Sequence, residues 1–125
     1  MNIRINEKGQ AVAADTVKMT DRAFEGSNST DIYWLGGAGI MIHSHYTDIM
    51  IDPVLEGFDM PLLYEVPILS EEVPELDGLL ITHIDNDHFS RPTCSHVKNV
   101  CKKYYAPNYV ADVMNEEGYP TEKKD

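Results

Sequence analysis

Apolar and polar positions alternate along three consecutive segments in the middle of the chain. The runs "DIYWLGG", "GIMIHSH" and "DIMIDP" begin at residues 31, 39 and 48 and are rich in β-branched and aromatic residues. In the second run, Ile40 and Ile42 alternate with Met41, His43 and His45, and this period of two residues is typical of a β-strand. The short connection "HYTD" predicts a hairpin between the second and third strands.

The second half of the chain predicts a strand, a helix, a second strand and a second helix. The run "GLLIT" is continuously apolar, as in a strand buried on both faces. Ser90 is a suitable N-cap and Pro92 fits a first helical turn, and apolar residues at steps of three and four predict an amphipathic helix over 91–104. A short "YYA" strand then precedes a helix over 108–117. Together these elements predict a mixed α/β (α+β) layer protein.

One further segment precedes these elements and another lies between them. Residues 1–30 are polar, with one predicted helix over Asp15–Phe24 that Asp15 would cap. Residues 53–77 are expected to form a long irregular connection, because proline removes a backbone donor and disfavours helix before it. Such connections in compact domains usually lie beside a binding site. We therefore expect a polar N-terminal segment, 1–30, followed by one domain over 31–125. The prolines of the connection are Pro53, Pro61, Pro67 and Pro74.

Composition restricts the partners of the chain. The 125 residues are 42% hydrophobic and 25% charged, enough for one domain with a modest core. An excess of acidic residues gives a net charge of −11. This charge repels phosphate backbones and anionic membranes, so neither nucleic acid nor a membrane is expected as a partner. The N-terminus has no apolar run of signal-peptide length, and a cytoplasmic location is expected.

Two further motifs, the pair of cysteines and a glycine run, are expected to have structural roles only. Cys94 and Cys101 lie seven residues apart on the predicted helix, which separates them by about 10 Å along the axis. A disulfide needs Cα atoms within about 7 Å, so both are expected to be free and buried. The "GGAG" run at 36–39 lacks the spacing of a nucleotide-binding loop and precedes a strand, so it predicts a tight turn.

Four side chains of metal-ligand type lie within six residues in "ITHIDNDHFS": His83, Asp85, Asp87 and His88. Imidazole and carboxylate are the ligands that first-row divalent metals take from proteins in the absence of cysteine. The cluster directly follows a buried strand, where α/β proteins place their chemistry. In an extended segment His83, Asp85 and Asp87 would project to one side. Because His88 would point in a different direction, this one segment could supply ligands to two neighbouring metal ions.

A polar loop and a metal-free acid/base site are the alternatives to metal binding by this cluster. Aspartates are common in turns, so a polar loop is the simplest alternative, but four ligand-type residues in six favour metal binding. A metal-free acid/base site is least favoured, because Asp85 and Asp87 are too close in sequence to flank a substrate. The other three histidines are assigned structural roles. His43 and His45 are expected to be solvated on a strand face, and His96 lies away from the apolar stripe of its helix.

The run "THIDNDH" resembles the metal-binding signature of the metallo-β-lactamase superfamily. The segment "YWLGGAGIMI" followed by "DIMIDPVL" is similar to the opening hairpin of that superfamily, especially its ascorbate phosphate lactonase branch. The resemblance implies an αββα sandwich with two divalent metals (zinc, manganese or iron) at one sheet edge. It assigns His83 and Asp85 to the first metal and Asp87 and His88 to the second. It also implies that Asp87 is catalytic, because that residue orients the bridging hydroxide.

Two departures from the superfamily pattern change what the resemblance implies. Asp85 stands where the signature has its second histidine. A carboxylate there makes the site harder and shifts its preference from zinc toward manganese, iron or magnesium. The superfamily fold is also about twice as long as this chain and takes its later ligands from its second half. The resemblance therefore implies a partial version of the fold, its N-terminal half, in which the later metal ligands are missing.

Two functions remain open from the sequence. The first is a metal-dependent hydrolase acting on a small-molecule ester, lactone or phosphoester through a metal-bound hydroxide. The second is a catalytically silent fragment that binds a divalent metal or a partner chain. Half of a two-sheet sandwich would leave one sheet face uncovered, so we expect homo-oligomers or association through that sheet.

Overall fold

The computed structural model describes residues 3–13, 15–59 and 62–124. Pro61, one of the four prolines of the long connection, lies outside these ranges. Within them, no helix is long and apolar enough to cross a membrane. The elements are β1 (Ile3–Ile5), β2 (Ala11–Ala13), a 3₁₀ turn (Asp21–Phe24), β3 (Thr30–Gly36), β4 (Gly39–Ser44), β5 (Thr47–Ile51), a second 3₁₀ turn (Ser70–Glu72), β6 (Gly78–Leu80), α1 (Arg91–His96), β7 (Tyr104–Ala106), α2 (Asn108–Glu116) and β8 (Thr121–Lys123).

Strands β3 to β8 form one mixed sheet in sequence order. β3, β4 and β5 are antiparallel, whereas β5 to β8 run parallel to one another. The three predicted central strands are confirmed. The tight turn at "GGAG" is confirmed as well, with φ of 96° at Gly36 and 55° at Gly37. His45 and Tyr46, with φ of 47° and 64°, make the predicted hairpin connection between β4 and β5.

The helix predicted over 91–104 is wrong in length, because α1 ends at His96. Leu76 forms a parallel bridge with Cys101, and its N–H donates to the carbonyl of Val100 at 2.9 Å. Residues 97–100 form turns after α1, and the bridge to Leu76 at Cys101 stops a helix from continuing beyond them. Tertiary contact therefore overrides the helical pattern. The second predicted helix is confirmed as α2.

The N-terminal segment also differs from its prediction. The prediction of a helix over Asp15–Phe24 is wrong, because only Asp21–Phe24 forms a single 3₁₀ turn. Asp15 therefore does not cap a helix there. The antiparallel pair β1 and β2 was not predicted from the polar composition. The segment docks on the long connection, where the N–H of Met19 donates to the carbonyl of Pro67 at 2.8 Å.

One face of the large sheet is covered and the other is not. On the covered face, Met41, Met50 and Leu79 are fully buried against α1, α2 and the long connection. On the opposite face, Ile32 is 70% exposed and Trp34 is 64% exposed. The described part of the chain therefore has one helical layer on one sheet layer. These are two of the four layers of the predicted αββα sandwich.

The two cysteines are free thiols, as predicted. Cys94 is fully buried on α1, whereas Cys101 is only half-buried. Burial raises the pKa of the Cys94 thiol to about 12 and also raises the pKa of Cys101. Both thiols are thereby kept in the unreactive protonated form.

Candidate metal centre

The loop that follows β6 carries the four predicted ligands on a tight turn. The N–H groups of His88 and Phe89 both donate to the carbonyl of Asp85, at 2.9 and 2.8 Å. The turn leads into α1, where the Ser90 hydroxyl accepts from the N–H of Thr93 at 3.2 Å, as the predicted cap requires. The segment is thus turned rather than extended. Its side chains are placed by the turn and not by strand alternation.

The turn arranges the four side chains as two adjacent pairs. His83 Nδ1 lies 3.3 Å from Asp85 Oδ2, and His88 Nε2 lies 3.7 Å from Asp87 Oδ2. The centroids of the two imidazole rings are 5.3 Å apart. The side chains of His83, Asp85 and Asp87 are more than half exposed, whereas that of His88 is 29% exposed. His88 is therefore the anchored member of the group.

A buried carboxylate from the neighbouring strand orients His88. Asp52 directly follows β5, is 3% exposed, and accepts a hydrogen bond from His88 Nδ1 at 2.9 Å. The Thr82 N–H donates to Asp52 Oδ1 at 2.7 Å, and the Thr82 hydroxyl donates to Oδ2. Because a carboxylate only accepts, His88 carries a proton on Nδ1. Its Nε2 is left facing Asp87, as in histidine ligands held by a second carboxylate.

The negatively charged side chains around the loop raise the pKa of His88. The hydrogen bond to Asp52 raises the pKa of the His88 imidazole, the charges of Asp52, Asp87 and Asp85 raise it further, and burial opposes them. The same negative charges attract a cation. A divalent ion at Nε2 would compete with the proton that this raised pKa favours, so its binding would release a proton.

The two pairs suit a first-row divalent ion in chemistry and in spacing. Ligand atoms that share one ion at about 2.0–2.2 Å lie roughly 3 to 4 Å apart, and the separations of 3.3 and 3.7 Å fall in this range. Within residues 3–13, 15–59 and 62–124, no group of three or more His, Cys, Asp or Glu side chains is arranged to hold an ion. Each pair therefore offers two ligand side chains, although His83 Nδ1 accepts a hydrogen bond from the Asp85 N–H at 3.2 Å, which an ion at that nitrogen would have to displace. A complete coordination shell of four or more ligands needs further donors beyond each pair.

The remaining histidines lie away from this loop. His43 is 2% exposed and bonded at both ring nitrogens, so its prediction as a solvated residue is wrong. His45 is exposed in the β4–β5 turn, where its Nδ1 lies 2.9 Å from the Ser44 hydroxyl. His96 is on α1 and pairs with Glu56 at 2.7 Å. The latter two are surface residues.

Asp52 is the residue of this centre that the sequence patterns did not select. The signal available was its position, because "DIMIDP" places Asp52 directly after β5 just as the histidine cluster follows β6. Carboxyl ends of adjacent parallel strands meet at one edge of a sheet. The sequence does not state that β5 and β6 are adjacent and parallel, and only the fold shows it.

Solved structures that share the fold include metal-dependent enzymes. CmlA, a diiron β-hydroxylase from Streptomyces venezuelae, gives a TM-score of 0.62 at 18% identity over 79% of this chain and 21% of CmlA. Igni18, a metallo hydrolase from the hyperthermophilic archaeon Ignicoccus hospitalis, gives 0.56 at 14% identity over 77% of this chain and 40% of Igni18. An isothiocyanate hydrolase from Delia radicum gut bacteria gives 0.59 at 19% identity over 75% of this chain and 41% of that enzyme.

These similarities establish the fold of the chain. They are consistent with the metallo-β-lactamase-like architecture that the sequence resembles. The chain spans between 21% and 41% of the length of these three proteins. No family model matches the chain, and no curated protein does.

Proposed function

We propose that this chain carries the metal-binding loop of a hydrolase of metallo-β-lactamase type, which acts on an ester, lactone or phosphoester. The observation that carries the proposal is the orientation of His88. Buried Asp52 holds Nδ1, so Nε2 faces Asp87 beside the second pair, His83 and Asp85. Such an arrangement presents imidazole and carboxylate ligands at the carboxyl edge of two parallel strands.

Each residue has a distinct part in this proposal. His83 and Asp85 would hold one ion, and Asp87 and His88 the other, while Asp52 positions His88. When bound, divalent ions at this loop would activate a water and stabilise negative charge that develops on the substrate. The Asp87 carboxylate, which is 62% exposed, would accept a hydrogen bond from an attacking water and hold its direction.

The choice of metal and substrate rests on further arguments. Asp85 supplies a carboxylate where an imidazole is expected, so manganese or iron should compete well with zinc. A diiron enzyme among the proteins of this fold supports iron. A lactone is the preferred substrate class, because the opening hairpin is similar to that of the ascorbate phosphate lactonases.

Metal binding and turnover should be measured on the same protein. We expect the chain to bind manganese, iron or zinc in a calorimetric titration, and Asp87→Ala or His88→Ala to weaken binding at least about tenfold. Asp112→Ala, an exposed carboxylate on α2, is the matched control and should bind like the wild type. Hydrolysis of an aryl ester, a lactone and an aryl phosphodiester then tests catalysis. Unchanged binding in both variants would contradict the proposal.

Binding without turnover would favour a second candidate: a metal-binding chain that associates through its uncovered sheet. The observation behind it is the apolar face opposite the helices. The register aligns two apolar rows there, Ile32–Ile42–Ile49 and Trp34–Ile40–Ile51–Leu80–Tyr105, and the second row continues to Glu122 on β8. Apolar patches of this kind in soluble proteins usually mark an interface.

The occupant that we propose for this face is a second copy of the chain. Two sheets pack face to face about 10 Å apart through interdigitated aliphatic side chains. The second row ends at Glu122, whose carboxylate is paired with Lys103 and Lys124, so two copies with a net charge of −11 each can meet over the apolar rows without placing unpaired like charges in contact. A two-fold pair would have the layer order αββα, made from two chains.

A further inference from the structure

A second polar cluster lies at the end of the sheet opposite to Asp52. His43 on β4 faces Asp48 on β5 in register, and His43 Nδ1 is 2.7 Å from Asp48 Oδ1. The other ring nitrogen, Nε2, is 3.0 Å from the Ser27 hydroxyl. His43 and Asp48 are 2% and 8% exposed, whereas Ser27 is half-buried on a surface loop. The imidazole thus bridges an accessible hydroxyl and a buried carboxylate.

The two hydrogen bonds that link Ser27, His43 and Asp48 can run in one direction. The Asp48 carboxylate only accepts, so it holds the His43 proton on Nδ1. The unprotonated Nε2 then accepts from the Ser27 hydroxyl. The Ser29 hydroxyl donates to the Asp31 carboxylate at 3.2 Å, so its oxygen, 2.8 Å from Ser27 Oγ, is a second acceptor for the Ser27 proton beside His43 Nε2. A serine hydroxyl aimed at an imidazole that is itself fixed by a carboxylate is the arrangement of an activated nucleophile.

We propose that Ser27, His43 and Asp48 form a nucleophilic site of the serine-hydrolase type, which is separate from the metal-binding loop. Ser27 is the nucleophile, His43 is the general base, and Asp48 is a positioning residue. Both links of the relay lie within the hydrogen-bond range that such sites require. The substrate class is a small acyl ester that reaches Ser27 from the surface.

The reaction balances with water as the second reactant. Ser27 Oγ bonds to the acyl carbon while its proton moves to His43 Nε2, and the imidazolium is stabilised by Asp48. The bond between the acyl carbon and the alcohol oxygen then breaks, and the alcohol leaves with the proton from Nε2. A water attacks the acyl-serine, gives a proton to Nε2, and releases the acid as Ser27 recovers its hydrogen.

The charge around the cluster limits the range of substrates that can approach Ser27. Asp31 lies beside His43 in register on β3, and the Asp48 N–H donates to the Asp77 carboxylate at 2.8 Å. Burial raises the pKa of Tyr33, and the charges of Asp31 and Asp48 raise it further, so the negative field extends across this end of the sheet. Such a field repels anions. Neutral esters should therefore react in preference to anionic ones.

The two sites can be told apart by their distance and their chemistry. Asp48 and Asp52 are at opposite ends of β5, four residues apart, which is about 13 Å along a strand. A chelator should therefore abolish any metal-dependent turnover and leave the Ser27 reaction unchanged. Failure of one proposal does not affect the other.

Covalent labelling of the full chain tests the site. A fluorophosphonate probe should label the wild type at Ser27, identified by peptide mapping, with or without a chelator. Ser27→Ala should abolish labelling, and His43→Gln should slow it by about a hundredfold. Ser44→Ala, a partly exposed serine on β4, is the matched control and should label at the wild-type rate.

Asp48 needs a readout that a merely structural residue would not change. In the wild type, the ¹⁵N chemical shifts of His43 should show the tautomer with hydrogen on Nδ1. Asp48→Asn should lose this preference and slow labelling about a hundredfold while its circular dichroism melting curve shows a folded chain. This variant decides the matter if His43→Gln unfolds. Labelling elsewhere, equal labelling of Ser27→Ala, or no labelling of the folded wild type would overturn the proposal.

Discussion

Asp52 Oδ2 lies 2.9 Å from His88 Nδ1, although the two residues are 36 positions apart in the chain. Asp52 is buried and follows β5, whereas His88 is on the partly exposed turn after β6. The contact joins the ends of two adjacent parallel strands, and it aims the free nitrogen of His88 at Asp87. The order of the loop after β6 thus depends on a residue outside that loop.

Replacing this carboxylate should affect both stability and metal binding. Asp52→Asn keeps the size of the side chain but puts a donor where Thr82 and His88 also donate. We expect the free energy of unfolding in urea to fall by about 1–3 kcal/mol, and metal affinity to fall about 10- to 100-fold. Asp59→Asn, an exposed acceptor in the same region, should change the unfolding free energy by less than about 0.5 kcal/mol. Equal effects of the two substitutions would show that Asp52 does not orient His88.

The raised pKa of His88 predicts how stability depends on pH. Protonated His88 is favoured in the folded state, so its contribution is fully present below the ordinary value of 6.5 and is lost as pH rises through the higher folded value. The unfolding free energy of the wild type, minus that of His88→Gln, should therefore be larger near about pH 5.5 than near about pH 8.5. A difference that is constant or grows with pH would have the wrong sign.

Metal binding should stabilise the folded chain. An ion present at about a hundred times its dissociation constant contributes about 2.7 kcal/mol, which is a rise in Tm of about 10 °C for a domain of this size. Asp87→Ala should remove most of that rise in a thermal melt, because it leaves His88 without its paired ligand. An identical melting curve across the metal titration would exclude a site in this loop.

Asp85 should set the choice of metal. Its carboxylate favours manganese and iron, so Asp85→His should tighten zinc binding relative to manganese, by about tenfold or more in competition titrations. Asp59→His, which adds a histidine nearby without replacing a proposed ligand, should leave the ratio unchanged. Equal zinc-to-manganese ratios before and after Asp85→His would mean that Asp85 is not a ligand.

The uncovered sheet face should control self-association. Sedimentation velocity of the wild type should show a concentration-dependent dimer, and Ile42→Lys should give a folded monomer because it buries a charge in the centre of the apolar rows. Tyr109→Lys changes an exposed aromatic residue on α2, away from this face, and should leave the dimer intact. A wild-type chain that stays monomeric at all concentrations would reject a second copy as the occupant.

Local patterns in the sequence determined much of the secondary structure. The alternation in "GIMIHSH" and "DIMIDP" predicts two strands because side chains on a strand alternate between faces. The run "GGAG" predicts a turn because glycine adopts positive φ without strain. Ser90 predicts the start of α1 because its hydroxyl satisfies a free N–H. Each of these depends on residues within a few positions of one another, and so does the selection of His83, Asp85, Asp87 and His88 as candidate ligands.

Only the tertiary structure decided what lies next to these elements. Alternation places Met41 and His43 on the sheet face opposite to Ile40 and Ile42, but it does not say which face the helices cover. In the structure the helices cover the face that carries Met41. His43 is for this reason buried against Asp48 rather than solvated.

The same limit applies to α1 and to the metal-binding loop. The helix predicted over 91–104 is not completed because Leu76 pairs with Cys101, beyond the turns that follow α1. Asp52 meets His88 because β5 and β6 are neighbours. Periodicity reports the environment of one segment at a time, whereas strand order and layer order are set by the burial of the whole chain.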